Sequence, residues 1–135
     1  MSVTGNKEHG SFFIEEIFPR VVLGRLNGAW NLDMAQRACD DVIALAEKLK
    51  DKPWAVITDM RHWELAPQEV FKAFEATQAQ LMTKNLRVHA IIPSNKIQES
   101  MVQRSQNVQS MLNQVFLDYD EAVNWCLRQL EMIEE

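Results

Sequence analysis

Asp59, Arg61 and His62 lie close together in sequence and carry side chains that are capable of acid–base chemistry. They follow the apolar run 54–58. A carboxylate within hydrogen-bonding distance orients an imidazole and stabilises its charge, so Asp59 and His62 together would serve as a general base. A catalytic site also needs a nucleophile or a metal ion, and no cysteine or further histidine is near this pair in sequence. We therefore expect no catalytic residue, no metal site and no cofactor, and we interpret Asp59 as a residue that caps or bridges a neighbouring loop.

Ser94 and Lys96 form a second candidate site together with Arg61. Both follow the apolar run 86–92, and ligands of open α/β sheets bind beyond the carboxyl ends of parallel strands. A helix beginning at Ser94 would present free backbone N–H groups to a small anion, and the two basic side chains would add positive charge. The alternative, which we favour, is that Ser94 only caps its helix and that Arg61 and Lys96 are solvated.

Trp30 and Trp63 bring large apolar side chains close to the same loops. Together with the phenylalanines of the helix predicted after Pro67, they would line a pocket for a small apolar ligand. Aromatic residues at helical spacing more often pack the interface between helices and a sheet, and we prefer that interpretation. Core packing and ligand binding are therefore both open for the two tryptophans. The predicted ligand- or partner-binding residues are Trp30, Asp59, Arg61, His62, Trp63, Ser94 and Lys96.

The pattern of apolar residues predicts the elements that position these side chains. Apolar positions at three- and four-residue steps predict helices, and short β-rich apolar runs predict buried strands. The order is β-β-α-β-α-β-α-β-α, an α/β sandwich with a mostly parallel sheet, an antiparallel edge strand and helices packed on it. The predicted strands are 12–17, 20–26, 54–58, 86–92 and 115–117, and the predicted helices are 31–50, 67–81, 95–112 and 118–133.

Composition and charge limit the classes of protein to which the chain can belong. Its 135 residues are 47% hydrophobic and 24% charged, a balance typical of a folded domain of this length. We expect one domain over residues 11–133, preceded by a flexible segment at residues 1–10. The net charge of −5 and the dispersed basic residues argue against nucleic-acid binding.

The cysteines and the apolar runs predict where the protein resides. No apolar run reaches the length that spans a bilayer, and the N-terminal residues lack the pattern of a secretory signal, so we expect no membrane insertion. Cys39 and Cys126 have no CxxC spacing and are interpreted as buried thiols. We therefore predict a cytoplasmic protein.

Three stretches of sequence, together with the element order, resemble the STAS domains of anti-sigma-factor antagonists. The resemblance is closer to the SpoIIAA-like proteins, which are related to the Sec14 (CRAL-TRIO) lipid-binding fold. The stretches are 20–28 (RVVLGRLNG), 55–61 (AVITDMR) and 115–125 (VFLDYDEAVNW). The resemblance covers nearly the whole chain and implies a STAS/SpoIIAA-like sandwich that acts as a non-enzymatic binding or regulatory module.

The sequence departs from this family where the family's regulators are phosphorylated. Asp59 matches the aspartate that ends the central strand, but residues 60–67 (MRHWELAP) contain no serine or threonine. We therefore expect a module without the serine switch, whose working surface is the loop 60–66 and whose partner is a protein. The alternative is a carrier of a small apolar or acidic ligand, as in Sec14-like lipid binding. The first hairpin offers an edge strand that would support a homodimer.

The charged residues of the loop 60–66 also carry an expectation about stability. Charges on an exposed loop normally contribute little to the free energy of folding. Replacing Arg61 and His62 with alanine is therefore expected to leave the fold largely intact and to weaken binding.

Overall fold

The fold is a five-stranded sheet with helices on both faces, seen in a computed structural model that describes residues 10–64, 66–94 and 111–134. The strands are β1 (Ser11–Phe18), β2 (Val21–Gly28), β3 (Trp54–Trp63), β4 (Leu86–Ile92) and β5 (Leu112–Val115). The helices are α1 (Leu32–Leu49), α2 (Gln68–Met82) and α3 (Tyr119–Glu134).

The strands lie in the order β1-β2-β3-β4-β5. β1 pairs with β2 in antiparallel orientation, and the other three pairings are parallel. This arrangement confirms the predicted α/β class and the antiparallel edge strand. The carboxyl ends of β2, β3 and β4 therefore meet at one edge of the sheet, which is the edge where the sequence predicts the site.

Alternating residues of each strand face different helices. In β3, Ala55 and Ile57 pack with Cys126 and Leu130 of α3. Val56 belongs to a cluster with residues of α1 and α2 on the opposite face. Because both faces are covered, the inner strands carry apolar residues on both faces rather than alternating strictly between apolar and polar residues.

The structure corrects the predicted end of the central strand. β3 continues through Trp63, so most of the predicted loop 60–66 is strand. The extension pairs with the end of β2, Asn27 with His62 and Gly28 with Trp63, after a register shift that follows Arg25. The apolar run in the sequence ends at residue 58 and therefore does not predict this extension. The added residues are strand because they pair with β2, not because their composition is typical of a buried strand.

The other boundaries that differ from the prediction do so by one to three residues. Pro67 is the N-cap residue of α2, so the helix begins one residue later than predicted. The last strand is Leu112–Val115 rather than 115–117, so residue 112 belongs to a strand and not to the predicted helix 95–112. Residues 95–110 of that helix lie outside the described residues, as do residues 1–9 of the predicted flexible segment.

β1 forms one edge of the sheet, and its outer half is irregular. Its pairing with β2 shifts register between Glu16 and Phe18, a bulge that bends the strand. Glu15 and Glu16, which precede the bulge, are both exposed. The edge is therefore charged and bent over its second half.

No helix within the described ranges is long and apolar enough to cross a membrane.

Arg20 connects the β1–β2 turn to the end of α1. Its backbone is in the left-handed region, with φ of 69°. Its guanidinium donates to the backbone carbonyls of Leu49, Lys52 and Pro53, and the bond to Pro53 is 2.8 Å long. The last carbonyls of a helix have no partner within the helix and carry partial negative charge. A guanidinium there supplies both hydrogen bonds and a compensating positive charge.

Replacing Arg20 with alanine should remove these bonds and lower the free energy of unfolding by roughly 2 kcal/mol, the range of hydrogen bonds to charged groups. Urea denaturation followed by circular dichroism measures the loss. The matched control is Arg37→Ala, which removes an exposed ion pair with Asp33 on α1 and should cost about 0.5 kcal/mol or less. Equal losses in the two variants would contradict a structural role for Arg20.

Candidate functional site

Asp59 is the centre of a charged cluster at the carboxyl ends of β2 and β3. Its side chain is fully buried. Oδ1 accepts hydrogen bonds from the backbone N and Nε of Arg61 at 3.1 and 3.0 Å. Oδ2 accepts from the Nη2 of Arg61 at 2.9 Å and from the Nε of Arg25 at 3.2 Å. Two arginines therefore neutralise one buried carboxylate.

The arginines set the charge state of Asp59. Burial alone would raise the pKa of this carboxyl group, but the hydrogen bonds from Arg61 and Arg25 outweigh burial and hold the pKa below its ordinary value. The carboxylate is thus ionised at neutral pH. Its four hydrogen bonds match the roughly four that a carboxylate can accept, and all four are donated by arginine. His62 donates none of them and is exposed.

The two arginines lie over aromatic rings on the side of the sheet that α3 covers. The guanidinium of Arg25 is 5.9 Å from the ring centre of Phe13, and that of Arg61 is 5.7 Å from the ring centre of Tyr119. Their side chains keep 37% and 39% of their surface exposed. The sequence predicted that Arg61, as a loop charge, would contribute little to the free energy of folding. The geometry differs, because removing its side chain would leave the buried Asp59 with only part of its hydrogen bonds.

Trp30 and Trp63 meet on the opposite face of the sheet, beneath α1 and α2. Each is only 3% exposed, and their ring centres are 5.6 Å apart in an edge-to-face arrangement. Trp63 also stacks on Phe74 at 5.8 Å, and Trp30 donates from Nε1 to the carbonyl of Asn27. The geometry therefore favours the interpretation of the two tryptophans as core residues over the alternative in which they line a ligand pocket.

Ser94 and Lys96 complete the predicted set. Ser94 is exposed two residues beyond β4. Lys96 lies outside the described residues. A binding role for these two, as for Arg61 and His62, stays a prediction. The structure brings Asp59 and Arg61 together, brings Trp30 and Trp63 together, and places the two pairs on opposite faces of the sheet.

An apolar pocket lies between α1, α2 and the sheet, and its lining includes the phenylalanines of α2 but neither tryptophan. Its volume is about 130 Å³. The sheet forms its floor, and the two helices form its walls. The floor includes Val22, Gly24, Val56, Thr58, His89 and Ile91. The walls include Ala38, Cys39 and Val42 of α1, and Phe71, Phe74 and Gln78 of α2.

The floor of the pocket contains one pair of hydrogen-bonded polar side chains. The hydroxyl oxygen of Thr58 is 2.8 Å from Nε2 of His89. Gly24 is the register partner of Thr58 on the neighbouring strand and adds no side chain. In the sequence, the pocket floor is marked only by a glycine, a threonine and a histidine within mainly apolar strands. These residues lie on three strands and have no common spacing, so the sequence does not reveal that they are close together.

The thiols offer no nucleophile. Burial raises the pKa of Cys39, and a hydrogen bond from Thr77 offsets only part of this effect. Burial raises the pKa of Cys126 to about 12. Both cysteines are buried and free, as predicted. Among residues 10–64, 66–94 and 111–134, no group of three histidine, cysteine, aspartate or glutamate side chains is placed to hold a metal ion.

Comparison with solved structures identifies the fold. The chain is similar to an uncharacterized protein of the DUF3478 family with a SpoIIAA-like fold from Shewanella loihica PV-4, with a TM-score of 0.66 and 13% identity over 92% of this chain and 98% of that chain. It is similar to the anti-sigma factor antagonist SpoIIAA in its unphosphorylated form, with a TM-score of 0.66 and 11% identity over 87% of this chain and 97% of that chain.

A third match is the Bacillus cell fate determinant SpoIIAA in the phosphorylated form, with a TM-score of 0.61 and 13% identity over 84% of this chain and 97% of that chain. The sequence matches no model of a known protein family and no curated protein. At these identities the likeness establishes the fold, and it confirms the predicted SpoIIAA-like fold.

The lowered pKa of Asp59 predicts how stability changes with pH. Its stabilising contribution is fully present above the carboxyl pKa of the unfolded chain, near 4, and is lost as the pH falls through the lower pKa of the folded state. Asp59→Asn should lower the free energy of unfolding at pH 7 by about 2–3 kcal/mol, somewhat less than for a fully buried pair because both arginines still contact water. It should also lose less stability than the wild type between about pH 4 and pH 2.

Urea denaturation across this pH range measures both effects. The control is Asp33→Asn, an exposed residue on α1, which should keep the steeper acid dependence of the wild type. Glu47, whose pKa is lowered to about 2 by hydrogen bonds from Lys50 and Lys84, is unchanged in all three proteins and supplies a common residual slope. Parallel pH profiles for the wild type and Asp59→Asn would contradict the assignment.

Proposed function

We propose that this chain, which has the SpoIIAA-like fold, is a non-enzymatic binding module that holds a small, mainly apolar ligand between α1, α2 and the sheet. The observation that carries the proposal is the pocket of about 130 Å³. Protein interiors are packed as densely as organic crystals, and voids larger than a water molecule are few. A space of this size between otherwise tightly packed helices and strands is therefore a candidate binding site.

The size and lining of the pocket favour a small molecule. An engineered apolar cavity of about 150 Å³ in another protein stays free of water and binds benzene. A ligand of similar size, about one aromatic ring with a short substituent, would fit here. Glu75 lines the pocket and is exposed, so a negatively charged ligand would meet a like charge. This favours a neutral ligand over the acidic one that the sequence left open.

The chemistry of the described residues supports a role in binding rather than catalysis. Asp59 has its hydrogen-bonding capacity filled by Arg25 and Arg61, so it is not available as a general base. The pKa values of both thiols are raised by burial, which keeps them protonated and weakly nucleophilic. The pocket itself is lined mostly by apolar side chains.

A protein partner is the second candidate, favoured by the exposed polar side chains at the end of β3. Arg61 and His62 are exposed there, and SpoIIAA, an anti-sigma factor antagonist with this fold, is known in unphosphorylated and phosphorylated forms. Residues 60–67 contain no hydroxyl side chain, so a partner at this edge would be controlled by something other than phosphorylation of that segment. A ligand in the pocket is one such control.

Toluene tests the primary proposal because it matches the pocket in size and polarity. Titration of the isotopically labelled protein, followed by NMR, should shift the methyl signals of Ala38, Val42 and Val56 in a saturable way. The methyl signals of Val123 and Leu130, which belong to α3 and pack on the other face of the sheet, serve as the internal control and should not move. Equal shifts on both faces, or none near saturating toluene, would rule out the pocket as a binding site.

Native mass spectrometry of the protein purified from its own host separates the two candidates. A small mass that is lost on denaturation would support the ligand-binding proposal and give the ligand's mass. A second, different polypeptide in the complex would support the partner-binding alternative.

A further inference from the structure

The geometry of the pocket floor points to the polar group that its ligand carries. We propose that the ligand is a neutral, mainly apolar molecule with one hydroxyl group, and that this group binds the hydroxyl of Thr58 in the space above Gly24. The inference rests on the proposed function and assigns the chemistry of the same site.

Gly24 leaves space on the floor that no backbone requirement explains. Two other glycines, Gly10 and Gly28, have positive φ and pack closely, so they are required by conformation. Gly24 does not have positive φ, and a Cβ added to it would approach no heavy atom closer than the carbonyl oxygen of Ile57 at 3.8 Å. This is an ordinary contact. A larger residue would fit the strand, so the consequence of glycine here is the open space itself.

Thr58 and His89 provide the polar side of this space. Gly24 and Thr58 are direct register partners across β2 and β3, so the space adjoins the threonine. Both residues are partly exposed although they lie on inner strands, which shows that the pocket reaches the sheet there. The bond between Thr58 Oγ1 and His89 Nε2 uses one of the hydroxyl's three hydrogen-bonding sites. Whichever side chain donates in that bond, the threonine oxygen keeps an acceptor site to which a ligand hydroxyl can donate.

The rest of the lining sets the class of ligand. An apolar body would lie among Ala38, Val42, Phe71 and Phe74. A carboxylate would have to lose its hydration among these side chains and would lie in the same pocket as Glu75. A hydroxyl has a much smaller hydration cost, and one bond to Thr58 compensates for it. Phenols and small alcohols therefore meet the requirement.

The test compares 4-methylphenol with toluene, which differ by one hydroxyl group. Dissociation constants are measured by NMR titration for the wild type and for Thr58→Val, a replacement of similar shape that lacks the hydroxyl. We expect Thr58→Val to weaken 4-methylphenol about tenfold and to leave toluene within about twofold, since only the phenol uses the hydrogen bond. Thr83→Val, which removes an exposed hydroxyl at the end of α2, outside the pocket lining, is the matched control and should change neither constant by more than about twofold.

Gly24→Val tests the space independently. The added side chain should fill the floor and weaken both probes at least tenfold, while the melting temperature stays at or above that of the wild type because valine suits a strand. Gly24→Ala replaces it in the test if the valine variant does not fold.

The outcomes separate this inference from the proposed function. If toluene and 4-methylphenol both bind and Thr58→Val affects them equally, the polar subsite is wrong and the apolar pocket stands. If a folded Gly24→Val binds both probes as the wild type does, the space above Gly24 is not the site. If neither probe binds the folded wild type, the proposed function fails and the inference fails with it.

Discussion

The buried carboxylate of Asp59 has to be neutralised inside the protein, and this requirement determines how β2 and β3 are joined at their carboxyl ends. An ionised group without water is very costly unless opposite charge and hydrogen bonds surround it. Arg25 on β2 and Arg61 on β3 meet that need, which joins the two strands just where their pairing changes register. Beyond this point β3 continues to Trp63, whose ring lies beneath α1 and α2. The ion pair on one face and the aromatic cluster on the other therefore belong to the same stretch of strand.

The two faces of the sheet are packed for different purposes. On the α3 side, small and branched residues such as Ala55, Ala90 and Ala122 allow the helix to lie close to the sheet. On the other side, large rings hold α1 and α2 near the carboxyl edge, and the pocket lies beside these rings. Trp30 and Trp63 thus lie beside the pocket, whereas Phe71 and Phe74 belong both to the aromatic cluster and to the pocket lining. A binding site beside such packed rings can be pre-formed, which lowers the entropic cost of binding.

The sequence predicted the fold well because element type depends on local periodicity, and the apolar runs of β2, β3, β4 and the helices are clear. It predicted less where a feature depends on another strand. The extension of β3 to Trp63 exists because β2 pairs with it, and the structural role of Arg61 depends on the burial of Asp59. The pocket residues Gly24, Thr58 and His89 come from three strands, so their proximity follows from sheet register and leaves no spacing in the chain. Trp30 and Trp63 are buried in the core, in agreement with the packing interpretation that the sequence favoured.

The bulge and the exposed glutamates of β1 have a consequence for the protein in a crowded solution. An edge strand presents unpaired N–H and C=O groups on which the strand of another molecule can grow, and this is how soluble sheets begin to aggregate. Between Glu16 and Phe18 the hydrogen-bonding row of β1 is interrupted, and the adjoining glutamates would repel the same edge of a second copy. This half of the edge is therefore a poor template on which a strand of a second copy could extend the sheet.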